Sequence, residues 1–225
     1  MRKVLIVVDP QNDFVSSEGA LSIAGASNPR IIENINKLLN SDKFDLKIAT
    51  QDWHPDNHVS FAKTNGAELF TQKETEQAGN KINQVMWPNH CVAGTQGAEF
   101  FGPINIDKVD MILRKGNIEN RECYSVFEYA NEITNKVCAN VEDLPLTPHF
   151  WAIFGGQAKE NQEIVICGYA TDYCVAQTAI SAKFGCNNIV VIPEASAAVD
   201  ENNLMGIYDK FDTYGIKLGK TEDYI

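Results

Sequence analysis

The segment 168–175 places a cysteine, Cys174, where a predicted strand gives way to a predicted helix. Small and polar residues before it favour a tight turn, and the helix is expected to begin at about the cysteine. A thiol at the amino end of a helix lies in the positive field of the helix dipole, which favours the thiolate. Free backbone amides at such a turn can stabilise an oxyanion. The alternative interpretation is that Cys174 only packs in the first helical turn.

Two charged residues occupy comparable positions after other predicted strands. Asp9 directly follows an apolar run, and Lys115 follows a third predicted strand. The carboxylate could take the thiol proton and return it to a leaving amine. A cation beside both groups would lower the pKa of each and keep the carboxylate ionised. Helix capping by Asp9 and an ordinary solvated Lys115 are the alternatives.

Three of the four histidines, His54, His58 and His90, fall in two short clusters rich in aromatic and polar residues. On an extended segment Asp52 and His54 point to the same face, because strand side chains repeat every two residues. A histidine from another loop, His90, would complete a set of one carboxylate and two imidazoles. Such a set leaves positions open for water and ligand, as catalytic metal sites do. Histidines hydrogen-bonded to carbonyls are the alternative, and His58 is the less certain ligand.

Strands and helices are expected to alternate along the chain, which predicts an α/β fold. The architecture is a three-layer, doubly wound parallel sheet with helices on both faces. Ligands bind beyond the carboxyl ends of such strands, which is where Asp9, Asp52, Lys115 and the segment after Cys167 fall. The predicted strands are 3–8, 46–50, 110–114, 163–167, 188–192 and a final edge strand 215–218. One predicted helix begins at Pro29 after an Asn28 cap, and two others span 173–184 and 204–211.

Two regions depart from this alternation. The long polar connection 61–87 is predicted to cover the site as a loop. The proline-bearing segment 138–150 is predicted to be an insertion before a short helix at 151–158, and its His149 is expected to be structural. The chain lacks repeats and linkers, so residues 1–225 are predicted to form a single domain.

Composition limits the partners that the chain can have. A formal net charge of −11 over 225 residues argues against nucleic acid and anionic membranes, which need basic patches. No apolar run approaches the roughly 18 residues of a membrane span, and the amino terminus reads as a strand and not as a targeting peptide. Six cysteines without a CxxC pair predict reduced thiols and a cytoplasmic location. A small-molecule substrate is therefore expected, and a homo-oligomer is left open.

Five segments, in this order along the chain, resemble the isochorismatase-like cysteine hydrolases and, within them, the nicotinamidases (pyrazinamidases). They are Val-Asp9-Pro-Gln-Asn-Asp-Phe14, Gln-Asp52-Trp-His54-Pro, Met-Trp87-Pro-Asn-His90-Cys91-Val, Arg-Lys115-Gly and Gly168-Tyr-Ala-Thr-Asp-Tyr-Cys174-Val. The resemblance covers about residues 3 to 200.

The resemblance implies a catalytic triad and a metal centre. The triad is Asp9, Lys115 and Cys174. One divalent ion, zinc or iron, is held by Asp52, His54 and His90, with His58 as a possible further ligand, and no organic cofactor is needed.

The resemblance also implies how the substrate is held. A cis peptide bond joins Tyr169 and Ala170, and the backbone amides of Ala170 and Cys174 form the oxyanion hole. Phe14 and Trp87 flank a pyridine ring, and Tyr169 is a further substrate contact. An aromatic ring between aromatic faces agrees with the physics of stacking, although core packing is the ordinary role of such residues.

The expected reaction is hydrolysis of nicotinamide to nicotinic acid and ammonia through a thioester on Cys174, with the metal orienting the pyridine ring and water. One alternative is another metal-dependent amidohydrolase of the same superfamily that acts on a carbamoyl or ureido compound. A second is a non-catalytic metal- or ligand-binding module on the same fold.

Overall fold

The computed structural model describes residues 1–127 and 158–225, which form a six-stranded parallel sheet and a separate two-stranded hairpin. The strands are β1 Arg2–Val8, β2 Leu46–Asp52, β3 Gln72–Gln77, β4 Asn80–Val85, β5 Met111–Lys115, β6 Gln162–Tyr169, β7 Asn188–Ala197 and β8 Lys217–Leu218. The α-helices are α1 Asn12–Val15, α2 Pro29–Asn40, α3 Ala62–Asn65, α4 Ala176–Ala182 and α5 Leu204–Thr213. The large sheet has the order β5-β2-β1-β6-β7-β8.

The central strand β1 is buried on both faces. Its alternate residues Leu5 and Val7 belong to one hydrophobic cluster, which α2 covers, and Val4, Ile6 and Val8 belong to another, which α4 and α5 cover. A strand enclosed in this way needs apolar residues at every position, which explains the unbroken run in the sequence. The predicted three-layer fold is confirmed.

Helix α2 begins as its sequence predicts. Asn28 Oδ1 accepts a hydrogen bond from the Arg30 backbone N–H at 3.0 Å, and Pro29 occupies the first helical position. A cap of this kind contributes about 1 kcal/mol. Ile35, Leu38 and Leu39 are buried against the sheet, so the helix is fixed by its apolar stripe as well as by its cap.

The order of the strands reverses between β1 and β6. From β1 the chain moves outward to β2 and β5, and then crosses to β6 on the opposite side of β1. In parallel sheets a crevice opens at such a point, beyond the carboxyl ends of the strands. The residues predicted to carry the chemistry lie at this edge: Asp9 after β1, Asp52 and Lys115 as the last residues of β2 and β5, and Cys174 after β6.

The prediction that 61–87 is a loop is wrong, because this region contains α3 and the antiparallel pair β3 and β4. Ala78 and Gly79 join the two strands with φ of 47° and 80°. Two residues of positive φ match the twist of a hairpin. The buried side chains of this hairpin include Thr75, Gln77 and Gln84, which are polar. A search for alternating apolar residues therefore misses the hairpin.

The remaining differences are smaller. The predicted helix 173–184 begins earlier, as a π-helical turn over Thr171–Val175, and continues as α4. The final edge strand is shorter than predicted. The proposed insertion 138–150, with His149, lies outside the described residues, as does nearly all of the helix predicted at 151–158. Within 1–127 and 158–225, no helix is both long and apolar enough to cross a membrane.

Gly168 allows β6 to pass close to β1 at the reversal point, and Gly168→Ala is expected to destabilise the fold. Its φ is +117°, and a Cβ there would overlap the Val8 carbonyl oxygen. We expect the variant to lose about 2–3 kcal/mol of unfolding free energy in urea titrations. Gly102→Ala is the control, because Gly102 has open space around it and no positive φ. Equal stability of the two variants would contradict this account.

Candidate active site

A buried ammonium group, that of Lys115, joins the candidate catalytic residues. Its Nζ lies 2.9 Å from Asp9 Oδ2, donates a hydrogen bond to Asp52 Oδ1, and lies 3.3 Å from Cys174 Sγ. Parallel pairing of β2 with β5 sets Asp52 directly opposite Lys115. The structure thus brings together the base, the cation and the thiol that the sequence predicts, and it adds Asp52 to the same cluster.

The backbone and Thr50 fix the position of Asp9. Asp9 has a φ of 45°, so the chain turns sharply as it leaves β1. Its N–H donates to Thr50 Oγ1 at 3.0 Å, and the Thr50 hydroxyl donates to Asp9 Oδ1 at 2.6 Å. Burial raises the pKa of Asp9 to about 6, with Lys115 opposing the rise and Asp52 adding to it. A carboxyl group with this pKa can both accept and return a proton near neutrality.

The contact between the Lys115 ammonium group and the two carboxylates also determines the ionisation states of Lys115 and Asp52. Burial disfavours the charged form of Lys115, but Asp52 and Asp9 outweigh it and raise its pKa well above the ordinary value. Burial also raises the pKa of Asp52, but Lys115 and His54 reverse this and hold the pKa well below its usual range. Lys115 and Asp52 are therefore both ionised.

The resting state of Cys174 differs from the prediction. Burial raises the pKa of its thiol well above the ordinary value, and the lowering effect of Lys115 does not compensate. Lys115 lowers the pKa of both Asp9 and Cys174, as predicted, but burial is the larger effect and on balance raises the pKa of each. Cys174 rests as a neutral thiol, and its proton must leave as it attacks.

The tautomers of His54 and His90 are set by carbonyl groups. His54 Nδ1 lies 2.7 Å from the Gly116 carbonyl oxygen, and His90 Nδ1 lies 2.8 Å from that of Pro88. A carbonyl only accepts, so each Nδ1 carries the proton when the ring is neutral and each Nε2 presents a lone pair. The two Nε2 atoms lie 3.5 and 4.0 Å from Asp52 Oδ2.

This arrangement fits a divalent cation. Among the described residues His54 Nε2 has no hydrogen-bond partner, although it is fully buried and faces a carboxylate oxygen. Burial lowers the pKa of His90 to about 4, so that ring is neutral near pH 7 and can act as a ligand. Asp52, His54 and His90 each offer a ligand atom, and these atoms lie within 4.8 Å of one another. One carboxylate and two imidazoles suit zinc or iron.

His58, the possible further ligand, has other partners. Its Nε2 lies 2.8 Å from the Arg121 carbonyl oxygen and must donate to it. Its Nδ1 then accepts from the Ser60 hydroxyl at 2.8 Å. Both ring nitrogens are occupied, so the structure does not place His58 beside Asp52 as a ligand. Instead its ring lies against that of His54, with 4.1 Å between centroids.

A pocket opens beside Cys174 and Asp52. Phe14 and Trp87 line it, as the sequence predicts for the two aromatic walls. The pocket is also lined by Leu21, Ile23, His90, Glu122, Tyr124, Ala170, Tyr173 and Val199. This mainly apolar cleft with a few polar groups at one end is typical of a small-molecule site.

The turn before Cys174 agrees with the prediction in one respect and corrects it in another. The Tyr169–Ala170 peptide bond is cis, as predicted, and Ala170 lines the pocket with Cys174. The predicted substrate contact by Tyr169 is wrong for its side chain, which is fully buried and donates a hydrogen bond to the Ala26 carbonyl oxygen at 3.1 Å. Tyr173 lines the pocket instead, with its ring 4.9 Å from that of Trp87.

The chain is similar to known proteins of one family. An isochorismatase domain model matches residues 152–223. A nicotinamidase of Acinetobacter baylyi is 40% identical over 202 residues, which are 88% of this chain and 82% of that protein. The chain belongs to the nicotinamidase family of isochorismatase-like hydrolases. Members of this family are amidohydrolases.

Solved structures agree with this placement. A nicotinamidase/pyrazinamidase structure from Acinetobacter baumannii is 32% identical, with a TM-score of 0.80 over 100% of this chain and 98% of that one. A pyrazinamidase of Pyrococcus horikoshii in complex with zinc is 29% identical, with a TM-score of 0.69 over 98% of this chain and 99% of that one. Both cover the whole length of the fold described above.

Sequence reasoning missed two residues that line the pocket, Glu122 and Tyr124. Burial raises the pKa of Glu122, but His58 and His54 outweigh it and lower the pKa below the usual value. Tyr124 receives hydrogen bonds from two side chains and faces the pocket. Their only signal in the sequence is that they follow Lys115 closely at the sheet edge where ligands bind.

Gly116 supports the candidate metal ligand His54, and Gly116→Ala is expected to weaken metal binding. A Cβ at Gly116 would overlap the His54 ring, and the Gly116 carbonyl fixes that ring's tautomer. The added methyl group would push the His54 ring away from this carbonyl. Loss of such a supporting contact lowers metal affinity about 10-fold to 100-fold. Competition with a chromogenic chelator measures zinc affinity without any need for turnover. Gly102→Ala serves as the control, and unchanged affinity in Gly116→Ala would argue against His54 as a ligand.

Proposed function

We propose that this chain hydrolyses nicotinamide to nicotinic acid and ammonia, with Cys174 as the nucleophile. The observation that carries the proposal is the contact of a single buried ammonium group, Lys115, with Asp9, Asp52 and Cys174. A base, a thiol and a candidate metal carboxylate therefore meet at one point beside an apolar pocket. The 40% identity to a nicotinamidase supports the choice of substrate.

The pocket suits a flat heteroaromatic amide. Phe14 and Trp87 are nearly fully buried, and they offer aromatic faces to a ring at little cost in side-chain entropy. A ring held there brings its carboxamide to Cys174, which lines the same pocket. An aliphatic carbamoyl compound would leave these aromatic faces poorly used.

Asp52, His54 and His90 would hold one divalent ion. When bound, this ion supplies a Lewis acid that polarises water and offers a coordination position to the pyridine nitrogen. The zinc complex of the related pyrazinamidase supports a divalent metal here. Zinc and iron both accept these ligands, so the donor set does not select between them.

In the first half of the reaction the Cys174 thiol gives its proton to ionised Asp9 and attacks the carboxamide carbon. The negative charge that develops on oxygen is stabilised by the backbone amides of Ala170 and Cys174. The carbon–nitrogen bond then breaks as Asp9 returns the proton to the leaving nitrogen, which departs as ammonia. Lys115 stays charged throughout and holds both reacting side chains in place.

In the second half water attacks the thioester. Asp9 is ionised again and takes a proton from this water as its oxygen bonds to the acyl carbon. The carbon–sulfur bond breaks, nicotinic acid leaves, and the proton on Asp9 returns to the sulfur of Cys174. The site recovers its starting protonation state, so no further reactant is required.

Cys174→Ser is expected to lower kcat/KM for nicotinamide by about 10⁴-fold, because a serine hydroxyl at this position lacks the nucleophilicity of sulfur. Ammonia release by the metal-loaded protein measures the loss. Cys186→Ser is the matched control, since the Cys186 thiol contacts only backbone carbonyl oxygens among its recorded hydrogen-bond partners in the described residues, those of Gln162 at 3.0 Å and Asn188 at 3.3 Å, and a hydroxyl can donate to the same groups. Turnover that survives in Cys174→Ser but falls in Cys186→Ser would contradict the assignment.

The pH profile is expected to report Asp9. Its pKa is raised to about 6, so the fraction that is ionised, and with it kcat/KM, falls about tenfold per unit as the pH drops below that value. A divalent ion at Asp52 adds positive charge nearby, so about 6 is an upper limit for the loaded enzyme.

Thr50→Val gives the matched comparison for this profile. The Thr50 hydroxyl donates to Asp9 Oδ1 and so lowers the pKa of Asp9. The variant removes this hydroxyl, which raises the pKa. We expect its acidic limb to move to higher pH while the rate on the plateau changes less. An unchanged limb would show that Asp9 is not the group that titrates.

A further inference from the structure

A chain of buried amide groups runs from the hairpin of β3 and β4 to the pocket. Gln77 and Gln84 lie on adjacent strands and are 1% and 3% exposed. Gln77 Oε1 accepts from the Glu122 backbone N–H at 2.8 Å, and Gln77 Nε2 donates to Gln84 Oε1 at 3.1 Å. Gln84 Nε2 donates to the Val85 carbonyl oxygen and to the Tyr124 hydroxyl, each at 3.0 Å.

Backbone groups at the two ends determine the direction of every bond in this chain. The Glu122 N–H can only donate, so the Gln77 atom beside it must be oxygen. The Val85 carbonyl can only accept, so the Gln84 atom beside it must be nitrogen. With both amides oriented, Gln84 has to donate to Tyr124 and cannot accept from it.

The Tyr124 hydroxyl oxygen therefore accepts two hydrogen bonds. The indole Nε1–H of Trp87 also donates to its hydroxyl, at 3.1 Å, and an indole N–H cannot accept. Two donors occupy the acceptor directions of the phenol oxygen, so its own proton must point elsewhere. No described residue accepts a hydrogen bond from that proton, and Tyr124 lines the pocket beside Cys174.

We propose that Gln77 and Gln84 are positioning residues that turn the Tyr124 hydroxyl proton towards the pocket, where it donates a hydrogen bond to the bound substrate. The identity of that substrate as nicotinamide rests on the function proposed above. The same bonds fix Trp87, so the hairpin sets both an aromatic wall and a polar contact of the pocket. A hydrogen-bond acceptor on the ligand is selected, because an apolar ligand would leave the phenol proton unpaired.

The proposal is tested by a double-mutant cycle between Gln84 and Tyr124. Tyr124→Phe removes the proton donor, and we expect KM for nicotinamide to rise about fivefold to tenfold with kcat changed less than about twofold. Gln84→Met keeps the length of the side chain and removes its donor, so KM is expected to rise about threefold to fivefold. In the Tyr124→Phe background the same change is expected to add less than about twofold, because Gln84 acts through the hydroxyl.

Gln72→Met is the control, because Gln72 lies on the same hairpin but is exposed, and its KM should match that of the parent. Gln84→Asn keeps an amide but is too short to reach Tyr124, and it replaces Gln84→Met if that variant does not fold. Equal effects of the Gln84 change in both backgrounds would overturn the proposal. A fall in kcat at unchanged KM would overturn it too.

A second measurement is independent of turnover. The indole N–H proton of Trp87 donates to Tyr124, so its resonance should move in Tyr124→Phe and in Gln84→Met but stay in place in Gln72→Met. If the parent chain releases no ammonia from nicotinamide, the proposed function fails while this resonance still reports the network. If the resonance does not respond to Gln84→Met, the positioning role fails whatever the substrate is.

Discussion

The site depends on one fully buried cation that has to satisfy two buried carboxylates. Removing three charges from water costs several kcal/mol per ion unless each has a partner of opposite sign. Lys115 meets this requirement for Asp9 and Asp52 together, and it touches the sulfur of Cys174 as well. One positive and two negative charges leave an excess negative charge. His54 and His90 face the same carboxylate, and Asp52 outweighs burial to raise the pKa of His54. A proton on His54 or a bound cation can therefore balance the excess charge.

The candidate metal site and the predicted triad form one connected cluster. Asp52 belongs to both, since one of its oxygens accepts from Lys115 and the other faces the two histidines. A cation bound to the second oxygen reduces the negative charge that raises the pKa of Asp9. The strength of the base and the occupancy of the metal site are consequently coupled through a single carboxylate.

The sequence predicted the parts of the molecule that follow simple periodic rules. The unbroken apolar run of β1, the Asn28 cap and the carboxyl-end positions of Asp9, Asp52 and Lys115 were all readable, because one physical rule dominates each of them. The assignment of the family needed the five matching segments in order. No single segment separates a catalytic thiol from a packed one.

The rest could not be predicted because it depends on tertiary contacts. The hairpin was missed because its buried positions are held by amides, which look like loop residues until their partners are known. Tyr169 was misplaced because strand geometry turns its side chain into the core, while Tyr173 reaches the pocket from the π-helical turn. The neutral resting thiol was not foreseen because burial, which a sequence does not report, outweighs the nearby ammonium.

The reversal of strand order between β1 and β6 has a consequence for the chain during its synthesis and folding. Asp9 directly follows β1, whereas Cys174 follows β6, which is synthesised much later. Until β6 docks along β1, the thiol has neither its base nor its ammonium neighbour. In a nascent chain Cys174 therefore lacks the partners that hydrolysis needs, and it meets them only when β6 pairs with β1.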